Sequence, residues 1–472
     1  MSDRLTIHAP LYAACLLSLI FSADAAASCP AIPALNPPNA KVVISDLHLG
    51  PGKTADGRWH PLEDFRFDDT FQTFIASLGD ASDLVIAGDF IDFWQILPEL
   101  DRRRLADLGS TESDSMKKLE AAIKSHRQTF NTLRGFSRRG RNRLFLIPGN
   151  HDIDLAWPRV QQRLLRELGD SGNRRIMVVN PCYQADGIYV EHGNEYDEAN
   201  RFQSQERPFN TILDKTWLQT NFGSTFMSRF YNQVETSKPF IDNLYPELAA
   251  VAWALRSEPV LSSLPHAGRF AVMLALSQTS LKNLGFAVSE LGPPEAKEEL
   301  PAKTVENLLR RFDSFDPELA KVLRTIAQDA PDRAEAAELV TSIPDVDWQR
   351  LHAGSGQDPA TLKVVLEIDP YVEAARKIVI KNPDVDVVIM GHTHETDRTD
   401  VTRVSDAGAT PKWYVNSGSW QKGAAVGDIR SRIAWSQLDL DNAAIFPEHF
   451  SYVVVTYDND AKPRVSRKFW PR

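Results

Sequence analysis

The stretch Leu84-Val85-Ile86-Ala87-Gly88-Asp89-Phe90-Ile91-Asp92 sets the reading of the whole chain. Its first four residues form a short apolar run, bounded by a glycine, and predict a buried strand. Gly88 breaks the run and puts Asp89 just past the strand end. A carboxylate in such apolar surroundings is costly to bury unless it is paired or bound to a cation. The same pattern recurs along the sequence. Lys41 to Ser45 predicts a strand ending at Asp46-Leu47-His48. Leu144 to Ile147 predicts another, broken by Pro148-Gly149 before Asn150-His151-Asp152. Ile188 to Glu191 leads into His192-Gly193-Asn194, and Val385 to Met390 into Gly391-His392-Thr393-His394. Loops at the C-terminal ends of strands are where α/β sheets collect ligands. Glycines at 88, 149, 193 and 391 allow the tight turns that aim neighbouring side chains at one point.

Helical patterns separate these strands. Phe71, Phe74, Ile75 and Leu78 predict a helix over Asp69 to Leu78, with Gly79 as its stop. Leu119, Ile123, Phe130 and Leu133 predict a second helix. This alternation, through about residue 195, argues for an α/β fold. The segment from 201 to 370 has few strand signals. Leu248, Val251, Ala252 and Leu255 fall on one helical face, Phe270, Met273 and Leu274 suggest another helix, and Gly292-Pro293-Pro294 reads as a turn. We therefore expect a large helical insertion between a first core part, 41–200, and a second, 371–472. The second part returns to strand patterns at Trp413 to Val415, Ile433 to Leu440 and Tyr452 to Tyr457.

The 472 residues suffice for one large domain with an insertion or for two domains. The net charge is −10 and no basic block stands out, which argues against broad electrostatic binding to nucleic acid. Arg4, the apolar run Leu11 to Phe21 and the small residues Ala23, Ala25, Ala26, Ala27 and Ser28 match an export signal over 1–27. The expectation is an exported chain, periplasmic or secreted; an uncleaved anchor is the alternative. Residues 28–40, with Pro30, Pro33, Pro37 and Pro38, read as a tether. Cys15 lies inside the signal. Cys29 and Cys182 suit one disulfide in an oxidising compartment, although Cys29 is also open to lipid attachment.

The chemistry lies in the ordered motifs. Asp46, His48, Asp89, Asn150, His192, His392 and His394 are an inventory of nitrogen and oxygen ligands suited to two divalent cations, with Asp89 able to bridge them. Carboxylate with imidazole favours Mn, Fe or Zn. Each motif is weak alone: an Asp-x-His triplet is commonly accidental, and a lone histidine is commonly structural. Together they hold five of the 11 histidines. His151 is placed to act as a general acid, and Asp92 to orient it and keep it charged.

As a set, these residues resemble the calcineurin-like metallophosphoesterase superfamily over 41–195 and about 380–420. The resemblance implies two stacked mixed β-sheets flanked by helices. It implies one metal held by Asp46, His48, Asp89 and His394, and another by Asp89, Asn150, His192 and His392, with His151 and Asp92 as a His–Asp dyad. It also implies in-line attack on phosphate ester or pyrophosphate bonds by a metal-bridging hydroxide. Gly88 to Trp94, His192-Gly193 and Asn416-Ser417-Gly418-Ser419-Trp420 look like the UDP-2,3-diacylglucosamine pyrophosphatase branch. The chain departs from that branch at His151, where Arg is common, and in its long insertion. Trp217, Phe222, Phe226, Phe230 and Tyr231 either line an apolar substrate pocket or form the insertion's own core. The first reading favours a lipid or aromatic phosphate ester and a site of action near a membrane, against a small-molecule ester. A non-catalytic binding protein on the same scaffold is the competing class.

Overall fold

The central strands are buried on both faces, which explains their unbroken apolar runs. In a computed structural model of the chain, the residues described are 29–102, 109–170, 172, 174–197, 200–212, 214–245, 369–394, 401–405 and 411–471, with the single positions 250, 253, 257 and 321. The strands are β1 (Ala40–Ile44), β2 (Ser82–Ala87), β3 (Arg143–Ile147), β4 (Ile176–Val178), β5 (Tyr183–Ala185), β6 (Ile188–Val190), β7 (Phe209–Ile212), β8 (Lys215–Leu218), β9 (Leu244–Tyr245), β10 (Val387–Met390), β11 (Val401–Ser405), β12 (Lys412–Asn416), β13 (Ala424–Ala425), β14 (Phe450–Tyr457) and β15 (Pro463–Trp470). One sheet runs β15-β14-β1-β2-β3-β4, the other β11-β12-β10-β6-β5. Strands β1 to β4 are mutually parallel, with β14 antiparallel to β1. In the second sheet β6, β10 and β12 are parallel, and β5 and β11 run antiparallel at the edges.

The two sheets stack. Val43, Val85, Phe145 and Val453 of the first meet Ile188, Val190, Val387, Ile389 and Val415 of the second in one buried cluster. Their sequence neighbours Val42, Ile44, Leu84, Ile86, Leu144 and Leu146 face the other way, into a cluster under the helices. This is the two-residue alternation of a strand. The helices on that outer face are α1 (Asp68–Ser77), α2 (Glu112–Ser125), α3 (Arg127–Arg138) and α4 (Pro158–Leu168), and α5 (Pro370–Lys381) covers the second sheet. Local signals set their ends. Thr111 and Asp114 form a capping box at the start of α2, Pro158 opens α4, and Gly169 closes it in the left-handed conformation. The result is the expected mixed α/β architecture of two stacked sheets flanked by helices.

Several expectations change. The helix anticipated through Leu119 and Leu133 is two helices, broken at His126, whose Nε2 lies 3.2 Å from the Gly50 carbonyl and 3.1 Å from Glu63 Oε2. Anchoring that ring to the loop after β1 wins over continuing the helix. Ile433 to Leu440 is no strand: it contains a 3-10 turn, Trp435–Gln437. Trp435 turns inward there to pack edge-on against Phe240 and Trp253, at centroid distances of 5.2 Å for each. The segment after residue 200, expected to be helical, does not begin as helix, because β7 and β8 pair as an antiparallel hairpin before the helical stretch 222–235. Leu248, Val251, Ala252, Leu255, Phe270, Met273, Leu274 and Gly292 to Pro294 lie outside the described residues, as do residues 1–28 with the expected signal. Among the described residues no helix is long and apolar enough to cross a membrane.

The proline-rich segment after residue 28 has no regular element before β1, yet it is fastened. Cys29 is disulfide-bonded to Cys182. The Asn39 amide donates to Asp83 Oδ1 at 2.8 Å, and the Arg143 guanidinium donates to the Pro33 carbonyl.

Candidate metal centre

The ligand loops all leave the same edge of the stacked sheets and are locked to each other by backbone hydrogen bonds. Asp46 N donates to the Gly88 carbonyl at 3.1 Å, and Leu47 N and His48 N both donate to the Asp89 carbonyl at 2.9 Å. Phe93 N donates to the His151 carbonyl at 3.1 Å, and Trp420 N to the Asp46 carbonyl at 3.1 Å. The loops are tight. Asp46, His48, Asp89, His392 and His394 all have positive φ, between 50° and 72°. This conformation costs a residue with a side chain on the order of 1 kcal/mol. Five ligand candidates adopting it together mark backbone bent to serve side-chain convergence. Gly88, at φ 91°, is required outright, since a Cβ there would overlap the His192 ring.

The structure brings all the expected residues together. Ligand atoms of Asp46, His48 and His394 lie within 4.8 Å of one another, as do those of Asp89, His192 and His392, and those of His48, Asp92 and His151. Asp89 joins the first two groups: its Oδ2 is 3.0 Å from His192 Nε2 and 3.7 Å from His48 Nε2. Asn150 Oδ1 is 3.1 Å from His192 Nε2. His394 Nε2 is 3.2 Å from Asp46 Oδ1, and the Asp46 Oδ2 accepts from His392 N at 3.1 Å.

Hydrogen bonds fix which nitrogen two of the histidines offer. His192 Nδ1 donates to the Ala87 carbonyl at 2.8 Å, so Nε2 is directed at Asp89 and Asn150. His48 Nδ1 donates to Asp92 Oδ2 at 3.0 Å, leaving Nε2 buried without a hydrogen bond, 3.9 Å from Asp46 Oδ1. A buried imidazole nitrogen left open beside a carboxylate is what a cation would satisfy. The donor set therefore fits two divalent cations, one against Asp46, His48, Asp89 and His394 and one against Asp89, Asn150, His192 and His392.

The ligand candidates are also coupled electrostatically. Burial alone would raise the Asp89 carboxyl, but His192, His151 and His48 outweigh it and hold it well below the usual range. Burial lowers His192, but Asp89 and Asp46 more than reverse this and lift it to about 9. His392 stays below its usual value because burial and His192 outweigh the Asp197 carboxylate, 3.3 Å from its Nε2.

Beside the ligands stands the dyad. His151 Nδ1 lies 2.7 Å from Asp92 Oδ2. Burial opposes the imidazolium, but Asp92 and Asp89 lift His151 to about 10. Asp92 is itself pinned, its Oδ1 accepting from Trp94 N and Gln95 N at 2.9 Å each.

Two contributors carried no role in the sequence reading. Asp152 accepts from Gly149 N at 2.6 Å and from Phe90 N at 2.9 Å, tying two ligand loops together, and burial with Asp89 nearby pushes it to about 7. Its place inside the Asn150-His151-Asp152 triplet was the available signal. Asp197, next to His392, sits in a turn that no short motif announces. Of the aromatic residues weighed as pocket lining, Tyr231 is fully buried, and the side chains of Phe222, Phe226 and Phe230 lie outside the described residues.

None of the curated proteins and none of the solved structures compared with the chain matches it. A family model does match, over a stretch that includes Asp46, His48, Asp89, Asn150 and His192 and stops short of His392 and His394. Residues 42–241 match the model of the calcineurin-like phosphoesterase family.

Proposed function

We propose that the chain is a dinuclear-metal phosphoesterase, acting on phosphate ester or pyrophosphate bonds. The observation that carries this reading is the convergence of two ligand groups on the shared carboxylate of Asp89, with the His151–Asp92 dyad beside them. Two divalent cations in such a site supply Lewis acidity and lower the pKa of a bound water. The chain's own residues do the rest. Asp89 accepts from His151 N at 2.8 Å, which sets the dyad at a fixed place beside the ligands. His151 holds the proton that a leaving alkoxide needs, and Asp92 keeps it there. Half-buried His394 is the more exposed partner of its ion pair with Asp46.

Aryl phosphate monoester and diester, matched in their leaving group, test the reading on the Mn-loaded protein. Turnover that collapses in Asp89→Asn supports it, and the preferred ester gives the substrate class. No turnover on either, with two metals bound per chain, would favour the binding-protein alternative. A UDP-2,3-diacylglucosamine-like pyrophosphate is the first natural substrate to try, because of the sequence likeness around Gly88 and Asn416.

We propose further that the chain works outside a reducing compartment. The Cys29–Cys182 disulfide supports this, since such bonds persist in oxidising surroundings. Recovery of the protein with an N-terminus near residue 28 from outside the cytoplasm would test it; recovery of a full-length reduced chain inside would count against it.

A further inference from the structure

A second acidic site lies behind the dyad. Asp64, Glu235 and Asp242 place carboxylate oxygens within 4.8 Å of one another. Asp64 and Glu235 are buried, at 1% and 0% exposure. Three amide side chains close around them. Gln95 Nε2 lies 3.1 Å from Glu235 Oε1 and 3.1 Å from Asp242 Oδ2. Asn243 Nδ2 lies 3.2 Å from Asp64 Oδ1, and Gln421 Nε2 lies 3.1 Å from Asp64 Oδ2. All three amides are at least nine-tenths buried, and each has its oxygen without any hydrogen-bond partner. Asp242 Oδ1 is unpartnered as well.

Buried polar atoms are rarely left unpaired, so this concentration of open oxygens calls for a partner. The strongest charges acting on Asp64 and Glu235 are further carboxylates, and together with burial they hold both groups well above their ordinary range. Shared protons would relieve the carboxylates. A cation would relieve them too, and would take the amide oxygens as ligands. A half-turn of each terminal amide exchanges nitrogen for oxygen and directs the oxygen at the cluster. Carboxylate and amide oxygens with no nitrogen or sulfur donor suit a hard cation. An all-protein oxygen cage suits Ca²⁺ better than Mg²⁺, which keeps several waters.

We propose that Asp64, Glu235 and Asp242, with the amide oxygens of Gln95, Asn243 and Gln421, form a structural Ca²⁺ site separate from the dinuclear centre. The ion would fasten the segment 232–243, at the start of the expected insertion, to core loops carrying Asp64, Gln95 and Gln421. Gln95 N donates to Asp92 Oδ1, so the site lies one residue behind the dyad. Its role is to position that region, and nothing in it depends on phosphoesterase activity.

Equilibrium dialysis of the full chain, pre-loaded with Mn²⁺, against radioactive Ca²⁺ tests this. One Ca²⁺ per chain is expected in the wild type and equally in Asp89→Asn, which separates this site from the dinuclear one. Glu235→Gln with Asp242→Asn should weaken binding at least a hundredfold, and Gln421→Leu about tenfold. Wild-type Tm should rise by ~3–5 °C at Ca²⁺ concentrations far above Kd. Wild-type protein that binds no Ca²⁺ overturns the proposal whether or not any variant folds. So does Ca²⁺ binding that survives undiminished in the folded double variant.

Discussion

Asp92 Oδ2 reaches His151 Nδ1 at 2.7 Å while also accepting from His48 Nδ1 at 3.0 Å, so one carboxylate oxygen orients both the proton donor and a metal-ligand candidate. The two roles separate by mutation. His151→Gln should lower kcat by about 10²–10⁴-fold with metal content unchanged. The loss should shrink on aryl esters with acidic phenols, which leave without a proton. Asp92→Asn should cost activity and also reduce metal content, because His48 loses the acceptor that sets its tautomer. Rates across a leaving-group series, with metal analysis of each variant, check this. A flat series for His151→Gln would remove His151 from the acid role.

Gly88 meets two demands at once, a φ of 91° and a ring in van der Waals contact. Gly88→Ala should destabilise the protein by roughly 2–4 kcal/mol, from positive-φ strain and displacement of His192. The second metal should be lost before the first, since His192 and Asn150 serve only that position. Urea unfolding and metal stoichiometry measure the two effects. A variant as stable as wild type with two metals would show that the ring can move aside freely.

The buried pair His126–Glu63 sets a pH dependence of stability. Burial disfavours the imidazolium, but Glu63, 3.1 Å away, and Asp68 raise His126 above its usual value. A raised folded-state pKa contributes stability that is fully present below the unfolded value, about 6.5, and is lost as pH rises through the folded value. Wild type should therefore exceed His126→Gln in Tm by more at pH 5.5 than at pH 9. Equal differences at both pH values would mean that His126 folds neutral.

Much of this was readable from the chain itself, for a physical reason. Strands buried on both faces are continuous apolar runs, and each ends at a glycine or polar turn, so Leu84 to Asp89 announces both element and site. The dyad was legible because His151 and Asp92 each sit inside a ligand motif. What failed depended on distant partners. The break at His126 follows from Glu63 and Gly50, and the inward turn of Trp435 follows from Phe240 and Trp253. Neither shows in local periodicity. The edge strands β5, β11 and β15 are half exposed and lack the apolar run that marked the interior ones.

The Cys29–Cys182 bond spans 153 residues and ties the segment before β1 to β5. Closing so long a loop in the unfolded chain is expected to contribute about 2–5 kcal/mol. Cys29→Ser should lower the urea midpoint accordingly, with little change in kcat, because neither sulfur lies among the ligands. Loss of activity in step with stability would tie the tether to the site.

The Asp46 carboxylate accepts from the backbone of His392, 346 residues further along. During synthesis, then, a nascent chain that has emerged through residue 241 carries Asp46, His48, Asp89, Asn150 and His192 but neither His392 nor His394. It offers each cation an incomplete set. On the proposed ligand sets each cation would find three of its four ligands, full-affinity loading would wait until His392 and His394 have emerged, and a product truncated before them would lack one ligand at either ion.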